Sequence, residues 1–381
     1  MAERAPAVDE ADAPILVELR LRLEATTDPV ERAALMLRQG LYLARTDRLA
    51  EAEAMPQDVR ETWQGQEELR VYVWLWLLEG VLDFYRTSRT GGRVRLQQAH
   101  AAAHGSGLRA EAELAAAWLA HLAYVDGAYA EMLRWLGESG FGSARLDETA
   151  ARSSLTLACA LQWFGEEPLA AAWFARAREV ARRTGDRAGI MAATANRLML
   201  RLADNWLAFA FGEPLPHEEA PLRQELLGIL GYERMSRSAS LQEQNEIARL
   251  RLEVLRGDEG AALAAADQMS SARQRHSASS LIMAEVVRGW LLGRRDPPEA
   301  AGARLQQLLQ GFAAGDLDDD DAAACWALLA QLARHAGDPA QAGRLSRLAR
   351  AARAHCRATL EPLRGDLRAV EREAAASWPG G

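Results

Sequence analysis

The stretch "WALLAQLARHAGDPAQAGRLSRLA" (326–349) decides the reading of this chain. Apolar residues at three- and four-residue spacing, Leu328, Leu329 and Leu332, mark a helix. A Gly-Asp-Pro break follows, and then a second helical run. Ala330 and Ala342 place a small residue on each helix, about one and a half turns from the break. Two antiparallel helices approach closely only where side chains are small. Gly337 permits the backbone angles that end the first helix, and Pro339 is tolerated in the first turn of the next. A similar phrase, "LTLACALQWFGEEPLAAAWFARA", occupies 155–177, with Ala158, Gly165, Pro168 and Ala170 in the corresponding places. Bulky residues such as Trp326, Leu329, Phe174 and Leu345 are expected to fill the gaps between neighbouring hairpins.

Working outward, strand-type alternation is nearly absent, and the strong helix formers Ala, Leu, Arg and Glu dominate. Breaks near Asp47, Gly91, Gly127, Gly165, Gly212, Gly257, Gly293 and Gly337 recur about every forty residues. The spacing predicts an all-α chain of about eight antiparallel helical hairpins. Residues 1–11 read as disordered, 12–211 as N-terminal hairpins, 222–360 as C-terminal hairpins, and 361–381 as a terminal helix and tail. Between the two sets, "FGEPLPHEEAP" (211–221) carries three prolines. It reads as a protruding loop or hinge at 212–221, between a long helix at about 187–211 and another at about 219–235.

These phrases resemble the tetratricopeptide repeat. Trp326, Leu329, Ala330, Gly337, Ala342 and Ala349 match its pattern, as do Leu157, Ala158, Leu161, Gly165, Ala170, Phe174 and Ala177. Gly40, Leu43, Leu49 and Ala52 match in part, and so do Leu119, Ala120, Gly127 and Tyr129. The longer period is similar to variants found in bacterial regulators. The resemblance implies a right-handed α-solenoid whose first helices line a concave face, and a role in binding a protein segment or peptide there.

Composition narrows the classes. The net charge of −8 argues against a nucleic-acid partner. The longest apolar stretch, "VYVWLWLLEGVL" (71–82), contains Glu79 and is too short for a membrane span. The acidic opening lacks a secretory h-region, and three cysteines without a CxxC pair fit a reducing cytoplasm. All 45 basic residues are arginine. The usual P-loop, kinase and Schiff-base chemistries need a lysine and are therefore excluded. Arg and Ala have GC-rich codons, so the bias also fits a GC-rich bacterial source.

Other patterns could carry chemistry. His100 and His104 share a helix face at metal-ligand spacing, but no third ligand is near, so they read as a solvated helix end. Asp316, Asp318 and Asp319 fit the D-x-D-D acid motif of class II terpene cyclases. The Asp316–Asp321 run directly precedes a helix, where acids cap free amides and oppose the macrodipole, so a capping or solvated role is the preferred reading. Most of the eleven tryptophans read as core, with Trp74 and Trp76 on different faces. Arg344, Arg347, Arg350, Arg353 and Arg357 form a basic stripe that could meet an acidic partner or phosphate, but the wet face of a terminal capping helix is the preferred reading.

No nucleophile, metal or cofactor constellation is evident, so a non-catalytic binding or regulatory protein without a cofactor is expected. The expected partner is a protein or peptide of acidic character. The expected contacts on first helices are His121, Tyr124, Gln162, Trp163, Arg197, Arg201, Gln331, Arg334 and His335. Arg201 has Asp204 three residues on as an alternative surface partner. One rival reading is the sensory region of a signalling protein of the diguanylate cyclase type, with Leu363, Leu367, Val370 and Ala374 as the start of a coiled linker. The other is a helical enzyme using Asp316–Asp321.

Overall fold

The computed structural model describes residues 13–46, 48–87, 92–236, 241–273, 276–312 and 314–378. The expected N-terminal disorder, and the breaks at Asp47 and Gly91, lie outside them. Among the described residues the chain is all-α, with no strand. It divides into two compact units: the described residues of 1–194, 233–240 and 363–381, and those of 195–232 and 241–362. The chain passes from the first to the second within one long helix.

Unit 1 contains α1 (Pro14–Ala25) and four hairpins: α2 (Pro29–Arg45) with α3 (Leu49–Thr62), α4 (Leu69–Thr87) with α5 (Arg93–Gly105), α6 (Arg109–Val125) with α7 (Tyr129–Glu138), and α8 (Asp147–Trp163) with α9 (Glu167–Thr184). The first helices pack in succession, α2 on α4, α4 on α6 and α6 on α8. The α8–α9 break shows how the sequence sets the turn. Gly165 takes a left-handed φ of 77°, and the Glu166 amide closes on the Leu161 carbonyl at 2.8 Å. Pro168 falls in the first turn of α9, where no amide donor is needed. Ala158 and Ala170 are fully buried, with the rings of Trp173 and Phe174 beside them in the core.

Unit 2 begins in α10 (Arg187–Phe211). It continues through α11 (Glu219–Ser236) as far as Tyr232, and then α12 (Gln242–Leu255), α13 (Glu259–Ser271), α14 (Ala278–Gly293), α15 (Pro298–Gly311), α16 (Asp319–His335) and α17 (Pro339–Leu360). Here too the first helices neighbour each other, α12 on α14 and α14 on α16. The α16–α17 turn repeats the geometry of α8–α9, with Gly337 at φ 75° and the Asp338 amide on Ala333 at 3.0 Å. Ala330, Leu329 and Leu345 are buried, while Trp326 is only half-buried and stands edge-on to Phe312 at 4.4 Å. The helices read at 187–211 and 219–235 are α10 and α11. The proline-rich turn between them is fastened to α10: Asn205 exchanges two hydrogen bonds with the His217 backbone, at 2.8 and 2.9 Å.

The chain then returns to unit 1. Helix α18 (Arg364–Ser377) buries Leu367 and Ala374 there. Arg364 donates to the Phe164 carbonyl at 2.6 Å, and the Trp173 indole donates to Glu371 at 3.1 Å. Trp378 stands edge-on to Trp173 at 5.8 Å. Two of the four residues read as a linker seam are thus packing residues of unit 1.

The small-residue crossings carry a direct test. Ala170→Leu and Ala342→Leu are expected to overpack their hairpins and cost about 1–3 kcal/mol each. The exposed Ala172→Leu is expected to change stability little. Chemical denaturation of the three variants checks this, and equal midpoints would remove the crossings from these positions.

Candidate functional site

The nine expected contact residues divide between the units, with His121, Tyr124, Gln162 and Trp163 in unit 1 and the other five in unit 2. Several have partners inside the protein. Gln162 is buried at 5% exposure. Gln331 accepts from the Trp290 indole at 3.1 Å and donates to the Ala210 carbonyl at 2.9 Å, which ties α14, α16 and α10 together. Arg201 reaches Glu225 at 3.4 Å, and Asp204 meets the His217 ring at 3.1 Å. Tyr124 stands edge-on to Tyr129, and Trp163 and Arg197 are half-buried. Arg334 and His335 are exposed at the end of α16. Arg334 approaches Ser346 of α17 at 3.4 Å, and the His335 ring lies 3.0 Å from the Asp296 carbonyl.

That end of α16 adjoins the arginine stripe. Arg353 is held at 2.5 Å by Glu213 and lies over the Phe211 ring at 4.7 Å. The other four, Arg344, Arg347, Arg350 and Arg357, are exposed and make no ion pair among the described residues. Other exposed arginines, such as Arg109, Arg187, Arg223 and Arg249, also make no ion pair among the described residues; these four are distinguished by lying along one helix.

The histidine pair and the aspartate run sort differently. His100 pairs with Glu138 at 3.1 Å and stacks near His104. Among the described residues no group of three or more His, Cys, Asp or Glu is placed to hold a metal. Asp319, Asp320 and Asp321 form the acidic first turn of α16, after Asp318 at the N-cap. The Asp318 side chain makes no capping hydrogen bond. Asp321 pairs with the buried Arg251. Asp320 lies outside the D-x-D-D triplet, yet burial and the adjacent Asp321 push its carboxyl up to about 8. Burial likewise raises the thiols of Cys159 to about 12 and Cys356 to about 11, so neither is a reactive thiolate at neutral pH.

Sequence reasoning missed a second arginine cluster, in unit 1. On α2, Arg38 and Arg45 are seven residues apart, with Leu41 and Tyr42 on the same face. Arg38 pairs with Glu148 of α8 at 2.5 Å, and Arg45 pairs with the buried Asp186 at 2.8 Å. Arg152 of α8 is 8% exposed. Its guanidinium lies 3.9 Å from the Trp118 ring centre and hydrogen-bonds to the Tyr85 side chain. Burial lowers its pKa. His121, edge-on to Trp118 and Phe84, is held neutral at pH 7 by burial and by the nearby Arg152 and Arg45 charges. Two cations two turns apart on an apolar helix face were the available signal.

Comparison of the chain with protein-family models, with curated proteins and with solved structures gives no match.

The Asp320 carboxyl makes a pH prediction. Its ordinary value is 3.8, and its folded value is about 8. Between the two, the folded chain keeps a proton that the unfolded chain releases, so stability falls as pH rises through that window. Asp320→Asn removes the titration. The variant is expected to be more stable than the parent at pH 8 and to show a flatter stability profile from about pH 4 to 8. Denaturation midpoints across that range check this, and parallel profiles would show that Asp320 ionises normally.

Proposed function

We propose that this protein is a non-catalytic binding module, a stack of helical hairpins that holds an acidic segment of a partner protein. The observation that carries this reading is the row of exposed, unpaired arginines on α17 beside Arg334 of α16. Arginine offers a planar fork of donors matched to carboxylates, and exposed guanidinium groups without internal partners are free to use it. A partner of opposite charge gains both steering and register from such a row. The right-handed solenoid that the repeat phrases imply would give the segment an extended surface on which to lie.

The proposal is tested with a capped oligo-glutamate peptide and a capped oligo-glutamine peptide of equal length. Calorimetric titration at two salt concentrations is expected to show salt-sensitive binding of the acidic peptide alone. In the triple variant Arg344→Gln, Arg347→Gln, Arg350→Gln, its affinity is expected to fall roughly tenfold with little change in melting temperature, because each exposed charge contact is worth about 0.2–1 kcal/mol. Equal binding of both peptides, or unchanged affinity in the triple variant, would overturn the assignment.

A further inference from the structure

Glu79 is the only charge in the apolar run 71–82, and it is 8% exposed. A carboxylate withdrawn from water needs partners, and two arginines supply them. Arg60 of α3 takes one of its oxygens, and Arg95 of α5 takes the other at 2.6 Å. All three residues line one open cleft of about 520 Å³, walled by α3, α4 and the start of α5. We propose that this cleft binds a small zwitterion, an amino acid or a short peptide with both ends free. Its carboxylate lies on Arg60 and Arg95, and its ammonium on Asp83.

Held donors, charge balance and size each point to this ligand. Glu79 engages Nη2 of Arg60 and Nη1 of Arg95, and a guanidinium has further N–H groups to give. The two side chains are 53% and 41% exposed, so those groups remain open to the cleft. The buried carboxylate fixes both forks beside each other, and little side-chain freedom is lost when a second carboxylate meets them. Asp83, one turn beyond Glu79 on α4, also lines the cleft and meets Arg95 Nε at 3.5 Å. Side chains four apart on a helix stand about 5–6 Å apart at Cβ. The anion and cation sites are therefore neighbours, as are the two ends of an amino acid or a dipeptide. The lining is also close to neutral, with three arginines and four carboxylates. Arg60 and Arg95 answer Glu79 and Asp83, Arg86 answers Glu53 at 2.8 Å, and Glu61 accepts from Gln57 at 3.1 Å. A simple anion would meet the four carboxylates, and a simple cation the three guanidinium groups. A zwitterion presents each sign to its complement and leaves the balance unchanged. The volume falls within the ~300–1,000 Å³ of small-molecule sites. The buried Pro56 and Leu82 add an apolar patch for a side chain.

This site is in unit 1 and does not rest on the acidic-segment reading of α17. The full chain is titrated calorimetrically with three forms of one dipeptide. They are glycyl-leucine, its N-acetyl form without the ammonium, and its C-terminal amide without the carboxylate. Glycyl-leucine is expected to bind saturably, and each capped form at least about tenfold more weakly. Free leucine separates the two sources: tighter binding than glycyl-leucine identifies an amino-acid site, and weaker binding a peptide site. In Arg95→Gln, the affinity for glycyl-leucine is expected to fall about tenfold while that for the amide is unchanged. In Asp83→Asn, glycyl-leucine is expected to weaken while the N-acetyl form is unchanged. Arg350→Gln in unit 2 is expected to bind as the parent does. The proposal is overturned if neither glycyl-leucine nor leucine binds at millimolar concentration, or if the capped forms match the free dipeptide. It is also overturned if affinity survives in the double variant Arg60→Gln, Arg95→Gln. Should that variant fail to fold, the comparison of free and capped dipeptides on the unmodified chain decides alone.

Discussion

How closely two antiparallel helices can approach is the constraint on which both compact units rest. At α8–α9 and α16–α17 that distance is set by alanines: Ala158, Ala170 and Ala330 are fully buried, and Ala342 nearly so. An alanine crossing has little volume of its own. It brings backbones together and leaves the larger side chains to fill the space between hairpins. Trp74, Trp173, Trp206 and Trp290, each at most 2% exposed, do that. Core packing at native density leaves few voids, so a methyl group added at a crossing must be answered by movement of an entire helix.

Several arginines are buried among the helices of each unit. Their stems can cover apolar surface while the charged heads find carboxylates or rings. Arg45 with Asp186, Arg251 with Asp321 and Arg152 over Trp118 are three forms of this device. Removing one partner from such a pair leaves a buried charge uncompensated, a far larger effect than loss of a surface pair.

Much of the fold was legible from local rules. The Gly165 and Gly337 breaks, the prolines one or two residues into the following helices, and the bounds of α10 and α11 follow from backbone chemistry that acts over a few residues. The solvated reading of His100 and His104 holds for the exposed His104 only; the His100 side chain is 13% exposed, packs edge-on to Trp135 and pairs with Glu138. The preferred capping reading of Asp316–Asp321 fared unevenly. The acids do open α16, but Asp318 makes no cap bond, and the raised carboxyl of Asp320 followed from burial that the sequence did not display. The lining of a groove was harder. Whether a polar residue on a first helix faces solvent depends on rotation by a fraction of a turn and on residues far away in the chain. Gln331 illustrates this, since its two partners lie 41 and 121 residues distant. The heptad-like spacing of α18 was visible, but the surface that buries it belongs to residues some two hundred positions earlier.

The central claim is that alanine crossings and their glycine-ended turns hold the hairpins together. Amide hydrogen exchange resolved by segment tests it most directly, because protection reports the stability of each helix rather than its presence. The account predicts that α8, α9, α16 and the first half of α17 exchange most slowly, and that α18 is protected together with α9. Exchange of α16 and α17 as fast as that of exposed turns, or of α18 independently of α9, would contradict it.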